Sequence, residues 1–302
     1  MTTGRPADGN PARLPRYKRA LTPPPMLFTP RDHDIIRWVY DLHFSTQEQI
    51  QQLLFTPSTA SSCKRRLTLL YHNAYLDRRL LPLRSQFGAN RAAYCLDKRG
   101  AHLLAFDEKT GHSRIAWRRV DNDRELYFLE HTLASNQVRI CATLAAREHL
   151  FDLVWTDERT LKSTAMRDSV QDPRHKTERL AVIPDGYFQL ATDGAPAGFA
   201  LELDRGTVEE KPFKTKIRAL GEWKVTGAYR RRFGTDSLRV LFVVTPTNRD
   251  RNRVERIKAW TEAERGQSLF WFASLPDLRP DTIFDKPVWR VAGREGNFAL
   301  FD

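Results

Sequence analysis

The sequence predicts an α+β protein of two domains, a small one of helices and a β-hairpin and a larger α/β one around a central mixed sheet. Its 302 residues are about twice the length of a typical domain. Apolar residues recur at helical spacing in the first part, and strand-like runs then alternate with helical segments. The predicted organisation is a flexible basic arm at 1–27, a small domain at 28–106, a linker at 107–120 and a larger domain at 121–302.

The charge is strongly asymmetric along the chain. Lys and Arg number 49 against 37 Asp and Glu, which gives a formal net charge of +12. Residues 1–100 contain 16 basic and 7 acidic side chains, whereas residues 101–302 contain 33 and 30. A basic surplus confined to one part of a chain predicts a polyanionic partner for that part.

Several protein classes are excluded by what the sequence lacks. It contains no phosphate-binding G-x-x-x-x-G-K-[ST] loop and no His-x-His pair of the kind that holds metal in tyrosine-dependent DNA relaxases. No apolar run is long enough for a membrane-spanning helix, so no membrane partner is predicted. The three cysteines are widely spaced, which predicts neither a disulfide framework nor a cysteine zinc site and favours a reducing cytoplasm.

Three helices are predicted in the small domain. Thr29 to Asp32 form a capping box with a proline in the first turn, and Ser45 to Glu48 form a second one. The third helix is predicted to begin near 58–61 and to end near Tyr71. Its buried stripe consists of Cys63, Leu67 and Leu70.

The exposed face of the third helix and the strands after it are basic. The runs 75–83 and 91–96 read as a β-hairpin, and a short closing helix follows them. Three helices and a basic hairpin are the parts of a winged helix-turn-helix, whose third helix enters the major groove of DNA. The residues predicted to bind double-stranded DNA are Ser61, Lys64, Arg65, Thr68, Arg78, Arg79, Arg84 and Arg91.

The larger domain is predicted to begin with an amphipathic helix at 121–148. A strand-like run at 151–155 and an exposed, mobile loop at 158–178 follow. The remaining predicted elements are an interrupted strand at 180–190, a strand at 198–204, a helix at 209–233, a strand at 238–245, a helix at 252–263 and a strand at 268–273.

Three carboxylates are expected to converge on one side of this sheet. Strand alternation places Glu202 and Asp204 on the same face, opposite Phe199, Leu201 and Leu203. Asp185 comes from the preceding strand, which should pair with this one. Because gathered carboxylate oxygens suit Mg²⁺ or Mn²⁺, these residues are candidate metal ligands. The alternative is that Glu202 and Asp204 belong to the solvated face of an amphipathic strand.

Two further residues in this domain are predicted to be structural. His131 lies on the mainly apolar face of its helix and is expected to be a hydrogen-bonded core histidine. Tyr229, on the long helix, is expected to pack rather than to act as a nucleophile.

The order of elements resembles the PD-(D/E)xK nuclease-like fold. The chain also resembles the replication-relaxation family of plasmids and mobile elements. The features that carry this resemblance are the predicted N-terminal winged helix, His131, Asp185-Gly186 and the run from Glu202 to Thr207. The resemblance covers roughly residues 28–275 and implies a role in plasmid replication or DNA relaxation.

The resemblance also implies which residues would carry nuclease chemistry. Asp185 and Glu202 match the two metal-binding carboxylates, and the metal would be Mg²⁺ or Mn²⁺. The lysine usually found two residues after the glutamate is replaced by Asp204, so Lys214 or Lys211 is the candidate for the missing cation.

Two other interpretations remain open at the level of sequence. One is a degenerate nuclease domain that only grips DNA or a protein. The other is a winged-helix transcriptional regulator with a non-catalytic C-terminal domain for dimerisation or sensing. A homodimer and replication or mobilisation proteins are the further expected partners.

Overall fold

The computed structural model describes residues 14–82, 91–106, 115, 117–163, 166–175, 177–191, 196–245 and 250–301. The chain divides into two compact units, Met1–Leu129 and Glu130–Asp302. Both mix helices with strands, and the second contains a central mixed sheet. The unit boundary falls within a long helix at Leu126–Glu148, after the segment that the sequence marks as a linker.

The first unit combines helices with a small antiparallel sheet. Its central strand pairs on both sides, in the order β1-β3-β2. The predicted third helix, hairpin strands and closing helix are present within a few residues of their expected bounds. The elements are α1 (Pro30–Leu42), β1 (Ser45–Thr46), α2 (Gln47–Leu54), α3 (Ala60–His72), β2 (Leu76–Leu80), β3 (Ala92–Leu96) and α4 (Lys98–Ala105).

Side-chain caps fix the starts of the first two helices. The Asp32 carboxylate accepts the Thr29 backbone N–H at 2.7 Å, as the sequence predicts. The second box lies one residue later than predicted, with Thr46, the last residue of β1, as the cap. Thr46 accepts the Gln49 N–H at 3.3 Å, and the Gln49 side chain accepts the Thr46 N–H at 3.1 Å. Such caps contribute about 1 kcal/mol each.

The core of the first unit is made by the faces that the sequence predicts. Ile35, Ile36 and Val39 of α1 pack with the α3 stripe of Cys63, Leu67 and Leu70, and all six side chains are buried. The opposite face of α3 is therefore left for solvent.

Part of the predicted flexible arm is anchored. Arg19 donates to the carbonyls of Tyr71 and Leu76, both at 2.9 Å, and its guanidinium lies 2.5 Å from Asp97. Asn73 binds the carbonyl of Pro24 at 3.1 Å. The prediction of a flexible arm is therefore wrong for residues 14–27, which contact the first unit. Residues 1–13 lie outside the described residues.

The second unit is a layered α/β structure. Its six-stranded sheet has the order β11-β10-β9-β8-β7-β4, in which β8, β9 and β10 are parallel and the other pairings are antiparallel. The elements are α5 (Leu126–Glu148), β4 (Asp152–Asp157), α6 (Glu158–Lys162), β5 (Asp168–Gln171), β6 (Arg179–Val182), β7 (Gly186–Ala191), β8 (Ala197–Asp204), α7 (Glu210–Val225), α8 (Ala228–Phe233), β9 (Leu238–Val244), α9 (Arg253–Ala263), β10 (Phe270–Ser274) and β11 (Arg290–Val291).

The central sheet is covered on both faces. Phe199, Leu201 and Leu203 of β8 join one apolar cluster, which includes residues of α5 and the C-terminal segment. Ala200, on the other face of the strand, joins a second cluster that includes residues of α7, α8 and α9. The predicted alternation along β8 is confirmed. Because the sheet is covered on both faces, its strand β9 has a nearly continuous apolar sequence.

The described residues of 158–178 include a helix and a strand where an exposed, mobile loop is predicted. The Asp157 carboxylate accepts the Thr160 N–H at 2.7 Å and caps α6, and β5 pairs with β6 in a separate two-stranded sheet. Leu161 and Val170 are buried in the second cluster. Each short element buries so few apolar residues that no periodicity is visible in the sequence.

The predicted helix at 209–233 is two helices. Gly227 has φ 68°, a left-handed conformation that separates α7 from α8. Tyr229 is fully buried, and its hydroxyl binds Tyr187 at 2.9 Å and the Ser237 carbonyl at 2.8 Å. Its packing role is confirmed.

All three cysteines are free and buried. Among the residues that the structure describes, no helix has both the length and the apolar character needed to cross a membrane.

Candidate active site

Asp185 is positioned by the backbone of the neighbouring strand. Its N–H donates to the Leu201 carbonyl at 2.9 Å, and its side-chain Oδ2 accepts the Leu203 N–H at 2.7 Å. The next residue is necessarily small, because a Cβ on Gly186 would lie 2.9 Å from the Trp155 ring. The carboxylate is thereby fixed beside the last residues of β8.

Glu202 lies in β8 with a side chain that is 3% exposed. The Lys216 ammonium of α7 donates to its Oε2 at 2.5 Å. Asp185 binds the N–H of Leu203, the residue that follows Glu202 in β8, and burial together with the charge of Asp185 raises the pKa of Glu202. Asp185 and Glu202 thus come from adjacent positions at one end of the sheet, with Lys216 bound to Glu202.

Lys216 is the lysine that sequence reasoning missed. The prediction favours Lys214 or Lys211, but Lys214 pairs with Glu210, one turn earlier on the same helix, at 2.5 Å. Lys216 borders the buried stripe of Phe213, Ile217 and Leu220, and so faces the sheet. That stripe is visible in the sequence and could have identified the lysine.

Asp204 has a different environment from the one predicted. Its two carboxylate oxygens bind the Arg253 guanidinium at 3.0 and 2.7 Å, and both side chains are almost completely buried. Oδ1 also accepts the Gly206 N–H at 2.6 Å. Because a buried bidentate ion pair engages both oxygens, Asp204 is not retained among the candidate catalytic residues.

His131 also belongs to the site. Its Nε2 lies 3.2 Å from Asp185 Oδ1, with a side chain that is 17% exposed. The preceding residue, Glu130, forms an ion pair with Arg205 in the loop after β8. The sequence predicts a hydrogen-bonded histidine, but the partner is a candidate catalytic carboxylate rather than a core group.

A third carboxylate, Glu158, completes the cluster and was not predicted. It is the first residue of α6, and a carboxylate oxygen, His131 and Asp185 each offer a ligand atom within 4.8 Å of the others. Among the described residues, a second group with this spacing consists of Asp172, His175 and Glu178 in the β5–β6 connection.

The electrostatics of the site are unusual for carboxylates. Burial raises the pKa of Glu202 to about 7, more than the Lys216 ammonium lowers it. Burial opposes ionisation of Asp185 too, but the hydrogen bond from His131 and the charge of Lys216 hold its pKa below the usual value. Burial works against the charged form of His131, but its contacts with Asp185 raise its pKa. The two acids are thus differentiated by their surroundings.

This donor set fits a divalent cation. Asp185 and Glu202 supply hard oxygen ligands, and a buried carboxyl whose pKa is raised gains most from a nearby positive charge. Lys216 adds a cation that remains partly exposed. Chemically, such a group can hold a metal ion and stabilise negative charge next to it.

The predicted DNA-binding residues of the first unit differ in their freedom to bind. On α3, Ser61, Lys64 and Arg65 are exposed, and neither basic side chain pairs with a carboxylate of the described chain. Thr68 is half-buried, and its hydroxyl donates to the Lys64 carbonyl at 2.8 Å.

The hairpin arginines make internal contacts. The guanidinium of Arg78 lies 3.8 Å from the centre of the Tyr71 ring and also donates to the Arg16 carbonyl. Arg79 pairs with Asp123 at 2.7 Å, and Arg91 lies 3.9 Å from Glu48. Arg84 is outside the described residues. Of the predicted DNA-binding cations among the described residues, those without an ion pair or a ring contact are therefore Lys64 and Arg65 of α3.

Comparison with known proteins gives one family assignment. Residues 36–236 match the family described as replication-relaxation. A search of curated proteins found no match. Among solved structures, the restriction endonuclease FokI bound to DNA is similar at 9% identity with a TM-score of 0.26. The match covers 82% of this chain and 43% of that one, so the chain spans less than half the length of the endonuclease.

Proposed function

We propose that this chain, which belongs to the replication-relaxation family, binds double-stranded DNA through its first unit and nicks DNA with a metal-dependent second unit. The family fits a replication-related role on a plasmid or mobile element in the cytoplasm. The observation that carries the proposal is the grouping of Asp185, Glu202 and Lys216, in which Lys216 lies 2.5 Å from Glu202.

DNA binding is supported by the architecture of the first unit. Three helices are followed by two antiparallel strands, and β3 also pairs with β1; this order of elements supports the proposed winged helix-turn-helix. The exposed cations of α3, Lys64 and Arg65, would meet phosphates and guanine edges in the major groove. The hairpin would serve as the wing.

Asp185 and Glu202 would hold Mg²⁺ or Mn²⁺. A divalent cation bound there supplies an activated water and offsets charge on the phosphate. Lys216 could contact a phosphate oxygen, because its side chain is 45% exposed although its carboxylate partner is buried. Lys216 would thus supply the positive charge of the lysine that usually stands two residues after the glutamate, at the position that Asp204 occupies in this chain.

The test is incubation of the full chain with supercoiled plasmid and Mg²⁺, Mn²⁺ or EDTA. We expect nicking with metal only, and a loss of about 10²- to 10⁴-fold in Asp185→Asn and Lys216→Met, the range typical of lost electrostatic and acid–base groups. Lys214→Met is the matched control, because Lys214 lies on the same helix and its ion pair is with Glu210 instead of Glu202.

The opposite result separates the alternatives. Intact plasmid in every lane, with DNA still retarded on a gel, would refute nuclease activity and favour a non-catalytic platform or a transcriptional regulator. Nicking that persists in Asp185→Asn would place the activity elsewhere in the chain.

A further inference from the structure

Three ligand-type side chains from separate elements meet next to the proposed catalytic pair. His131 belongs to α5, Glu158 begins α6 and Asp185 precedes β7. Each offers one ligand atom, and these atoms lie within 4.8 Å of one another. The segments are distant in sequence, so only packing of the second unit creates this group.

The histidine is held in place rather than free to swing. Its neighbour Glu130 is paired with Arg205, and its own Nε2 lies 3.2 Å from Asp185 Oδ1. Ligand atoms that each lie about 2.1 Å from one octahedral ion are about 3 Å apart. The 3.2 Å between His131 Nε2 and Asp185 Oδ1 is close to that spacing, and a ligand atom of Glu158 lies within 4.8 Å of both.

Asp185 differs from the neighbouring carboxylates in its ion pairs. Glu202 is paired with Lys216, and Glu158 contacts Lys162 on the surface of α6. Asp185, by contrast, forms no ion pair with a lysine or arginine in the described chain; its contacts are the His131 ring and the Leu203 N–H. A cation bound to Asp185 would add a direct positive contact to the charge of Lys216, which acts on this carboxylate without an ion pair.

We propose that His131 is a direct ligand of the divalent cation together with Asp185 and Glu158, and that this nitrogen ligand makes the site select Mn²⁺ over Mg²⁺. Mg²⁺ takes oxygen ligands and gives up its waters reluctantly, whereas first-row transition ions accept imidazole. This inference rests on the proposed metal-dependent function, because it concerns the same site.

The experiment is a Mn²⁺ titration of the full chain without DNA, followed by electron paramagnetic resonance, with Mg²⁺ as competitor. We expect His131→Gln to weaken Mn²⁺ binding by about 10- to 100-fold and to change the Mg²⁺ affinity by less than about threefold. Pulsed measurements should show coupling of Mn²⁺ to an imidazole nitrogen that disappears in the variant.

His102→Gln is the matched control, because His102 is an exposed histidine on α4 of the first unit. It should leave Mn²⁺ binding and the nitrogen signal unchanged. A second substitution, His131→Asn, and a thermal melt of each variant show whether weaker Mn²⁺ binding comes from loss of the imidazole ligand or from unfolding.

Two results would overturn the inference. Unchanged Mn²⁺ affinity in a folded His131 variant, or equal losses for Mn²⁺ and Mg²⁺ with no nitrogen coupling, would make His131 a positioning residue for Asp185. Because no DNA is present, Mn²⁺ binding through His131 in a protein that nicks nothing would retain this inference and reject only the nuclease proposal.

Discussion

The Glu202 side chain illustrates how a proposed active site works against stability. Its carboxyl is buried, and its pKa is raised to about 7 by that burial. A buried carboxyl of this kind favours the protonated form in the folded protein and ionises more readily in the unfolded chain. The residue is therefore kept in an environment that opposes its own charge.

We expect the free energy of unfolding to fall as pH rises from about 5 to 8 in EDTA, through the window between the unfolded and folded pKa of Glu202. One pKa unit corresponds to about 1.4 kcal/mol, so the loss is at most about 3 kcal/mol. The Glu202→Gln variant should lack this pH-dependent fall in the free energy of unfolding. At pH 8 it should be at least as stable as the wild type. Urea unfolding at several pH values measures it, and a Gln variant that is much less stable at pH 8 would contradict it.

Asp204 and Arg253 should behave in the opposite way, as a pair needed for folding. Both side chains are almost fully buried and bind through two contacts. We expect Arg253→Met to destabilise the second unit by about 3–5 kcal/mol, because it leaves a buried carboxylate unpaired. Thermal and urea unfolding would measure the loss.

Arg256→Met is the matched control on the same helix. The side chain of Arg256 is 49% exposed and forms an ion pair with Asp250. Exposed ion pairs contribute about 0–1 kcal/mol to stability. Equal effects of the two substitutions would refute a special role for the buried pair. A double change of Asp204→Leu with Arg253→Met should recover part of the loss, because it removes both buried charges.

At the scale of elements, helix α3 is expected to dominate DNA affinity. Its Lys64 and Arg65 are exposed, whereas Arg78, Arg79 and Arg91 of the hairpin strands are engaged within the first unit. We expect Lys64→Ala with Arg65→Ala to weaken binding and to reduce the slope of log affinity against log salt by about one for each phosphate that is no longer neutralised. Gel shifts or fluorescence anisotropy at several salt concentrations measure both.

The control removes the same charge from the second unit. Arg251 and Lys286 are exposed there, so their double alanine variant matches the change in net charge. If the control weakens binding as much as the α3 variant, the contribution is one of net charge alone and the proposed recognition helix is rejected.

Helix α7 shows how one element serves structure and site together. Its stripe of Phe213, Ile217 and Leu220 packs under the sheet, and Lys216 at the border of the stripe reaches Glu202. The neighbouring Lys214 pairs with Glu210 of the same helix. Two residues of displacement on a helix rotate a side chain by more than half a turn, which is why the choice between lysines depends on the packed face.

At the scale of the whole molecule, charge and chemistry are divided between the two units. Residues 1–100 hold 16 basic side chains against 7 acidic ones, whereas 101–302 are close to balanced, with 33 against 30. The grouped carboxylates of the second unit would repel a polyanion in the absence of metal. The proposed function uses this division, with DNA binding assigned to the first unit and a local, cation-dependent contact assigned to the second.

The sequence by itself determined the local elements and the family. Apolar spacing predicted the stripe of α3, the capping box of α1 and the alternation along β8, because each depends on neighbours within a few residues. It also singled out Asp185 and Glu202, which belong to segments consecutive in the chain: Asp185 directly precedes β7, and Glu202 lies in β8, the antiparallel neighbour of β7.

The tertiary structure decided what those carboxylates meet. Lys216, His131 and Glu158 come to the site from α7, α5 and α6, and Asp204 is drawn to Arg253 of α9. The apolar stripe of α7 indicates the side of the helix on which Lys216 lies. The contacts of His131, Glu158 and Asp204 have no such signature in local spacing, because a helix can pack with several rotations about its axis that differ little in apolar pattern. Only the close packing of both sheet faces selects one rotation, and with it the side chains that face the site.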